Sequence, residues 1–217
     1  MQYPTVPLER IDMMISLDMI GHALGSDGMP EEIRRSILCI GAERSAGTGP
    51  LIDRVAAELR RVRVRRLDSY VVPPLSDHFA FERAGIPFLF FTCGRNEHYH
   101  MPTDTPEKLD YGKLVATSEF LAELVVALSQ RPDAPVRFLP EGRDDTATLE
   151  TLNQMIVGIP EGSGPLKEKS GWLGRLSREV NGGRLLSREE QVLVGGIVLE
   201  LEANLGWEVA GPAGDGP

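Results

Sequence analysis

The sequence predicts an α/β fold: a three-layer sandwich around a mixed, mostly parallel sheet, followed by a helical C-terminal extension. Three observations predict it. Short apolar runs bounded by Gly or Pro alternate with segments of helical period along the first 130 residues. The run Ile86-Pro87-Phe88-Leu89-Phe90-Phe91-Thr92 is apolar on both faces, as in a strand covered on both sides. After Gln130 the composition turns to Pro132, Pro135, Pro140, Asp144 and Asp145, a polar linker, before helical patterning returns.

The elements follow in order. Ile11 to Ile20 is a β-branched and apolar run, read as a buried strand that delivers Asp18 to its C-terminal edge. Glu31 to Arg35 is a helical turn, and Ser36 to Gly41 is a second strand stopped by glycine. From Gly49-Pro50, the residues Leu51, Ile52, Val55, Leu59 and Val62 recur at helical spacing, giving an amphipathic helix to about Arg61. Val62 to Tyr70 alternates as a short strand before Pro73-Pro74. Ser76 suits the cap of a helix through Glu82, with Gly85 as its stop. The apolar strand ends at Gly94 before a His-rich loop. Thr105-Pro106 then suits the start of a helix whose buried stripe is Leu114, Leu121, Leu124, Val125 and Leu128. In the extension, Thr146 to Val157 and Ser187 to Leu205 read as helices, the second opened by the capping box Ser187-x-x-Glu190. Gly158 to Gly164 and Asn181-Gly182-Gly183 are breaks, and Gly211 to Pro217 is a frayed end.

Bulk properties exclude several functions. The 217 residues carry a net charge of -9, which argues against sequence-independent binding to nucleic acid or to an anionic membrane. Arg60, Arg61, Arg63, Arg65 and Arg66 are a local exception, read as the solvated face of a helix end or edge strand. Cys39 and Cys93 make neither a disulfide framework nor zinc-finger spacing, and both sit in apolar runs as buried small hydrophobes. No segment is long and apolar enough for a membrane span. The first residues read as no export signal. For a piece of a longer protein that leaves the compartment of the parent open, a periplasmic or extracellular one included.

The chemistry-bearing residues concentrate at the ends of strands, where α/β folds gather ligands. Asp18 is either a strand-end carboxylate that caps the next loop or a ligand. His100 is either a hydrogen-bonded loop residue or a ligand, and Tyr99 beside it adds a phenol. Three segments occur together in order: Leu-Asp-Met-Ile-Gly at 17–21, Ser-Asp-His-x-x-Phe-x-x-x-Gly-Ile-Pro at 76–87, and Tyr-His-x-x-x-Asp-Thr-Pro-Glu-Lys-Leu-Asp-Tyr at 99–111. On these motifs the chain resembles the co-catalytic di-zinc aminopeptidases. That family includes bacterial leucyl aminopeptidases, glutamate carboxypeptidase, glutaminyl cyclase-like proteins and the non-catalytic transferrin receptor ectodomain.

The resemblance covers Met1 to about Gln130 and implies roles residue by residue. Asp18 resembles the carboxylate that ligates one zinc, and His100 the imidazole that ligates the other. Tyr99 resembles the phenol that donates to the oxyanion of the tetrahedral intermediate. Asp104 is either a carboxylate that orients the His100 loop or a cap for residues 105–107. Ser76 and Asp77 match a motif on the substrate side of the pocket, although Ser76 also suits a plain cap. His78 and His98 take supporting loop roles. The implied mechanism uses two zinc ions roughly 3.5–4 Å apart with a bridging carboxylate and water, and a glutamate that takes the proton of that water. In the family the first histidine ligand, the bridging aspartate and a Glu-Glu pair lie upstream of the Leu-Asp-Met-Ile-Gly strand. Here seventeen residues precede Asp18; none is histidine, and Glu9 and Asp12 are their only carboxylates.

The expectation is therefore that residues 1–130 are the C-terminal half of a peptidase domain, with two of five ligand side chains and no general base, and that residues 131–217 are a linker and small helical extension. The intact protein is expected to hydrolyse N-terminal residues from peptide substrates with zinc, and this chain alone to be inactive. The alternative is a non-catalytic binding or assembly module that keeps the fold. A rebuilt Asp18-His22-His100 site is disfavoured, because Ile20-Gly21 suits a strand-to-loop turn, and His22 reads instead as a stand-in for a basic residue. A strand at Ile11 to Ile20 without its neighbours would expose an edge, to be covered by a companion chain, a homo-oligomer or the extension.

Overall fold

The computed structural model describes residues 5–25, 29–73, 76–133, 135–159 and 165–206. Four strands, β1 (Met14–Asp18), β2 (Ser36–Ile40), β3 (Arg63–Leu67) and β4 (Phe88–Thr92), form one sheet in the order β1-β4-β2-β3. The pairs β1/β4 and β2/β3 are parallel and β2/β4 is antiparallel, so the sheet is mixed and mostly parallel, as expected.

Two helical layers cover it. Side chains alternate across a strand, and the two sets of β2 and β4 side chains enter separate cores. Ile37, Cys39, Leu89 and Phe91 pack with Leu51, Ile52 and Val55 of α2 (Thr48–Leu59) and with Phe120, Leu121 and Leu124 of α4 (Tyr111–Ser129). The opposite set, Leu38, Ile40 and Phe90, joins Leu67 in a core built with the extension. Its partners are Leu149, Leu152, Met155 and Ile156 of α5 (Asp145–Gly158), Leu173 and Leu176 of α7 (Ser170–Asn181), and Val194, Ile197 and Leu201 of α8 (Arg188–Gly206). Short helices α1 (Glu31–Arg34), α3 (His78–Glu82) and α6 (Pro165–Glu168) complete the set.

β2 and β4 are buried along their whole length because both faces are covered and both edges paired. Gly41, which ends β2, has φ +92°, and a Cβ there would stand 2.3 Å from the Phe88 ring, so glycine is required by both backbone and packing. The expected buried strand at Ile11 to Ile20 is instead a half-covered edge: among the described residues β1 pairs with β4 alone, and Leu17 is 50% exposed.

Four other expectations are corrected. Residues 106–108 form a separate 3-10 turn, and α4 begins at Tyr111, where the Asp110 side chain accepts from the Lys113 N–H at 2.9 Å. The buried stripe of α4 runs through Lys113, Ala116, Thr117, Phe120, Leu121 and Leu124, while Val125 is exposed. Asp144 and Asp145 are structural rather than linker residues: Asp144 caps α5 through the Ala147 N–H, and buried Asp145 accepts from the Leu186 N–H. Helix α7 is an element beyond those expected, although Leu173, Leu176 and Val180 stand at helical spacing. The capping box is reciprocal, with the Glu190 N–H donating to Ser187 Oγ at 3.2 Å and the Ser187 N–H to Glu190 Oε2 at 2.8 Å. Cys39 and Cys93 are free and buried. The break at residues 160–164 and the frayed end at 211–217 lie outside the described residues. Among the described residues no helix is long and apolar enough to cross a membrane.

Candidate active site

Because β1 and β4 are parallel neighbours in the register Asp18↔Thr92, their C-terminal ends project the Asp18 carboxylate and the loop after Thr92 from the same side of the sheet. The polypeptide then turns sharply at both. Met19 takes φ +59° directly after Asp18, and its carbonyl accepts from the Cys93 N–H at 3.1 Å, tying the two exits together.

Asp18 is exposed, and Ser76 Oγ donates to its Oδ2 at 3.2 Å. This corrects one expectation: the Ser76 hydroxyl holds Asp18 rather than capping a helix, and α3 starts with Asp77 at its N-cap without a side-chain bond. The loop of 94–104 is a string of turns in which the N–H groups of Tyr99, Met101 and Asp104 donate to the carbonyls of Asn96, His98 and Met101. His100 takes φ +58° and lies exposed with its ring stacked on that of Tyr99, centroids 3.8 Å apart. Tyr99 is itself 37% exposed, and the Arg95 guanidinium lies 5.8 Å from its ring centroid.

Asp18, Ser76 and Tyr99 line one pocket of about 180 Å³, whose floor is Leu38, Ile40, Phe90 and Leu67; His100, Asp77 and Asp104 lie outside its lining. The extension closes this pocket, through Leu152 and Met155 of α5 and Val198, Leu201 and Glu202 of α8. Glu202 grips the loop directly. Its carboxylate accepts from the Arg95 backbone N–H at 3.1 Å, from Nε at 3.0 Å and from Nη2 at 2.9 Å.

The remaining histidines have other tasks. His78 also lines this pocket, buried against Phe88 and Phe90 with ring centroids 5.3 and 4.8 Å away rather than standing in a loop, and burial lowers its pKa. His22 does not stand in for a cation: burial, with the Lys113 ammonium adding to it, pushes its pKa down to about 4, so the ring is neutral. The local positive charge is Lys113, whose buried Nζ donates to the carbonyls of His22 and Arg34 at 3.0 and 3.1 Å. His98 is held between Thr103 Oγ1 at 3.0 Å and Glu97 Oε1 at 3.3 Å. Asp104 makes no side-chain hydrogen bond among the described residues, and its charge acts to raise the pKa of His22.

Sequence reasoning missed Arg95, Glu202 and Lys113. Arg95 and Glu202 are more than a hundred residues apart and no motif links them, whereas Lys113 was legible only as a cation on an otherwise apolar helix face. Among the described residues no three His, Cys, Asp or Glu side chains stand where they could hold a metal ion. Asp18 and His100 thus do not complete a zinc site by themselves, since a catalytic zinc takes about three protein ligands plus water.

The sequence profile of peptidase family M28 matches residues 2–125. No curated protein matches the sequence. Among solved structures, that of the LapA aminopeptidase of Legionella pneumophila is similar with a TM-score of 0.45 and 13% identity, over 56% of this chain and 32% of that one. The chain therefore spans about a third of that structure's length.

Proposed function

This chain belongs to peptidase family M28, and from that premise we propose that it is the C-terminal half of a zinc-dependent exopeptidase domain. The intact protein removes N-terminal residues from peptides, and this chain alone does not. The observation that carries the reading is the shared end of β1 and β4, where Asp18, the hydroxyl that holds it and Tyr99 line one pocket, with the His100 ring stacked on Tyr99 outside that lining. In this reading Tyr99 is the oxyanion donor, which fits a phenol with no hydrogen-bond partner among the described residues. Asp18 and His100 are the part of the zinc ligand set carried here, Ser76 positions Asp18, and Asp77 and Asp104 take supporting roles outside the pocket lining. The other donors and the general base come from polypeptide outside this chain, and zinc bound by the completed set would act as the Lewis acid.

Activity measurement tests this directly. The purified chain, supplied with zinc and an aminoacyl chromogenic substrate, is expected to give no turnover above the metal alone. Turnover that Tyr99→Phe abolishes would overturn the division of the site between two pieces.

One observation favours a second reading, a binding or assembly module. The extension closes the pocket from outside the matched residues, and among the described residues nothing pairs with the outer edge of β1, where Leu17 is half-exposed, a surface for a companion chain or a second copy. A stable oligomer or complex in light scattering that Leu17→Lys dissolves would favour this reading; a monomer counts against it.

A further inference from the structure

The arginine-rich segment borders a second depression that shares no lining residue with the pocket. β3 is the second edge of the sheet, and it forms the floor of a groove of about 710 Å³ walled by α2 on one side and α5 on the other. Six arginines line this groove against three carboxylates, Glu32, Asp53 and Glu150, a local excess of positive charge in a chain of net charge -9.

The backbone of that floor is partly unsatisfied. The Arg63 N–H donates to the Arg35 carbonyl, so Arg63, Arg65 and Leu67 turn their polar groups toward β2. Alternation points those of Val64 and Arg66 outward. Helix α5 satisfies the far end, where Thr151 Oγ1 donates to the Arg66 carbonyl at 2.9 Å and the Asp68 N–H donates to Thr148 Oγ1 at 2.8 Å. Among the described residues the N–H and carbonyl of Val64 and the N–H of Arg66 have no hydrogen-bond partner, and both residues line the groove.

The side chains around them differ in freedom. Arg65 and Arg66 are fixed, Arg65 on Ser36 and Gln154, Arg66 on Asp53 and Asp144. Arg61 and Arg63 are exposed and, among the described residues, pair with exposed glutamates alone, Glu119 and Glu32, contacts that exchange at little cost. Arg60, at the C-cap of α2, is exposed and has no ion-pair partner among the described residues.

We propose that this groove is a docking site for an extended acidic segment of a partner polypeptide, which adds to β3 as a further strand through Val64 and Arg66 while its carboxylates meet Arg60, Arg61 and Arg63. Charged edge strands usually discourage pairing, and this one discourages its own kind: β3 against the β3 of a second copy would set arginine opposite arginine. The same charge favours an acidic strand, and the two helical walls restrict entry to a single extended chain. The site is independent of the peptidase reading.

The test uses the full chain and three probes: capped octaglutamate, capped octaglutamine and inorganic polyphosphate. Octaglutamate is expected to bind with an affinity that falls as ionic strength rises, and to slow amide exchange at Val64 and Arg66 selectively. In Arg60→Glu/Arg63→Glu, with the fold checked by circular dichroism, binding should weaken at least about tenfold. Absence of octaglutamate binding overturns the proposal. So does binding without protection of those two amides, or protection given equally by polyphosphate, because either outcome reduces the groove to a charge trap. Equal binding of octaglutamine overturns the role of the arginines.

Discussion

Glu43 shows at the scale of one residue how tightly the extension is tied to the sheet. It follows β2 in a 3-10 turn, is 8% exposed, and accepts from the Ser69 N–H at 2.9 Å, with Arg44 Nε 3.5 Å away. Asp68 lies beside it and accepts from the N–H groups of Tyr70 and Asp144. Burial, and then the neighbouring Asp68 charge, raise the pKa of Glu43 to about 7; burial raises that of Asp68 as well. The sign follows from linkage. Between its ordinary value near 4.5 and about 7, Glu43 keeps a proton in the folded state that the unfolded chain has released. Stability contributed here is therefore full below the ordinary value and is lost as pH rises toward 7. A tenfold difference in proton affinity between the folded and unfolded chain is worth about 1.4 kcal/mol, so the loss is on the order of 1–3 kcal/mol. Glu43→Gln keeps the acceptor for Ser69 and removes the titration. Urea unfolding at about pH 5 and about pH 7.5 should show a slope in the parent that flattens in the variant. Parallel slopes would mean that Glu43 is ionised in the fold.

At the scale of elements, the strands were legible because two-sided burial leaves an unmistakable pattern, and Phe88 to Thr92 and Ser36 to Ile40 carry it without interruption. Termini were less legible. Thr105-Pro106 has the chemistry of a helix start, yet Asp110, just beyond that turn, offers a cap with a partner N–H, and the helix begins there. Ser76 was ambiguous between capping and site roles because the choice depends on where β1 ends, which only tertiary structure supplies. The clearest local signal in the extension was the box Ser187-x-x-Glu190, and it makes a quantitative prediction. Ser187→Ala removes the acceptor for the Glu190 N–H at the start of α8, which should cost about 1 kcal/mol in unfolding free energy. Since Glu190 is also held by Arg184 Nη1 at 2.7 Å and Nη2 at 3.0 Å, its own reach back to the Ser187 N–H should survive. A loss well above about 2 kcal/mol would show that the cap supports more than this helix end.

For the whole molecule, the question is what holds this four-stranded mixed sheet together. Sequence motifs singled out Asp18 and Tyr99, but the pocket these two line is completed by Leu152 and Met155 of α5 and Val198, Leu201 and Glu202 of α8, where no motif marks a site. Those residues were legible as helices and not as a lid, because the partner of an amphipathic face is not written beside it in the chain. The cover they provide is large. Leu38, Ile40, Leu67 and Phe90 are buried to between 0 and 9% against α5, α7 and α8. At about 1.5–3 kcal/mol for each such side chain, exposing that face costs roughly 6–12 kcal/mol, which is of the same size as the roughly 5–15 kcal/mol that holds a typical domain folded. The lost Arg95–Glu202 contact, with Arg95 53% exposed, adds little beside this. Residues 1–130 alone should therefore fail to fold, giving an aggregated or unstructured product in gel filtration and circular dichroism. Adding residues 131–217 as a separate polypeptide should restore part of the native signal, because the two pieces meet through one apolar core rather than through a linker. A cooperative unfolding transition for 1–130 by itself would show that the sheet and its α2/α4 layer suffice, and that the extension serves the pocket rather than the fold.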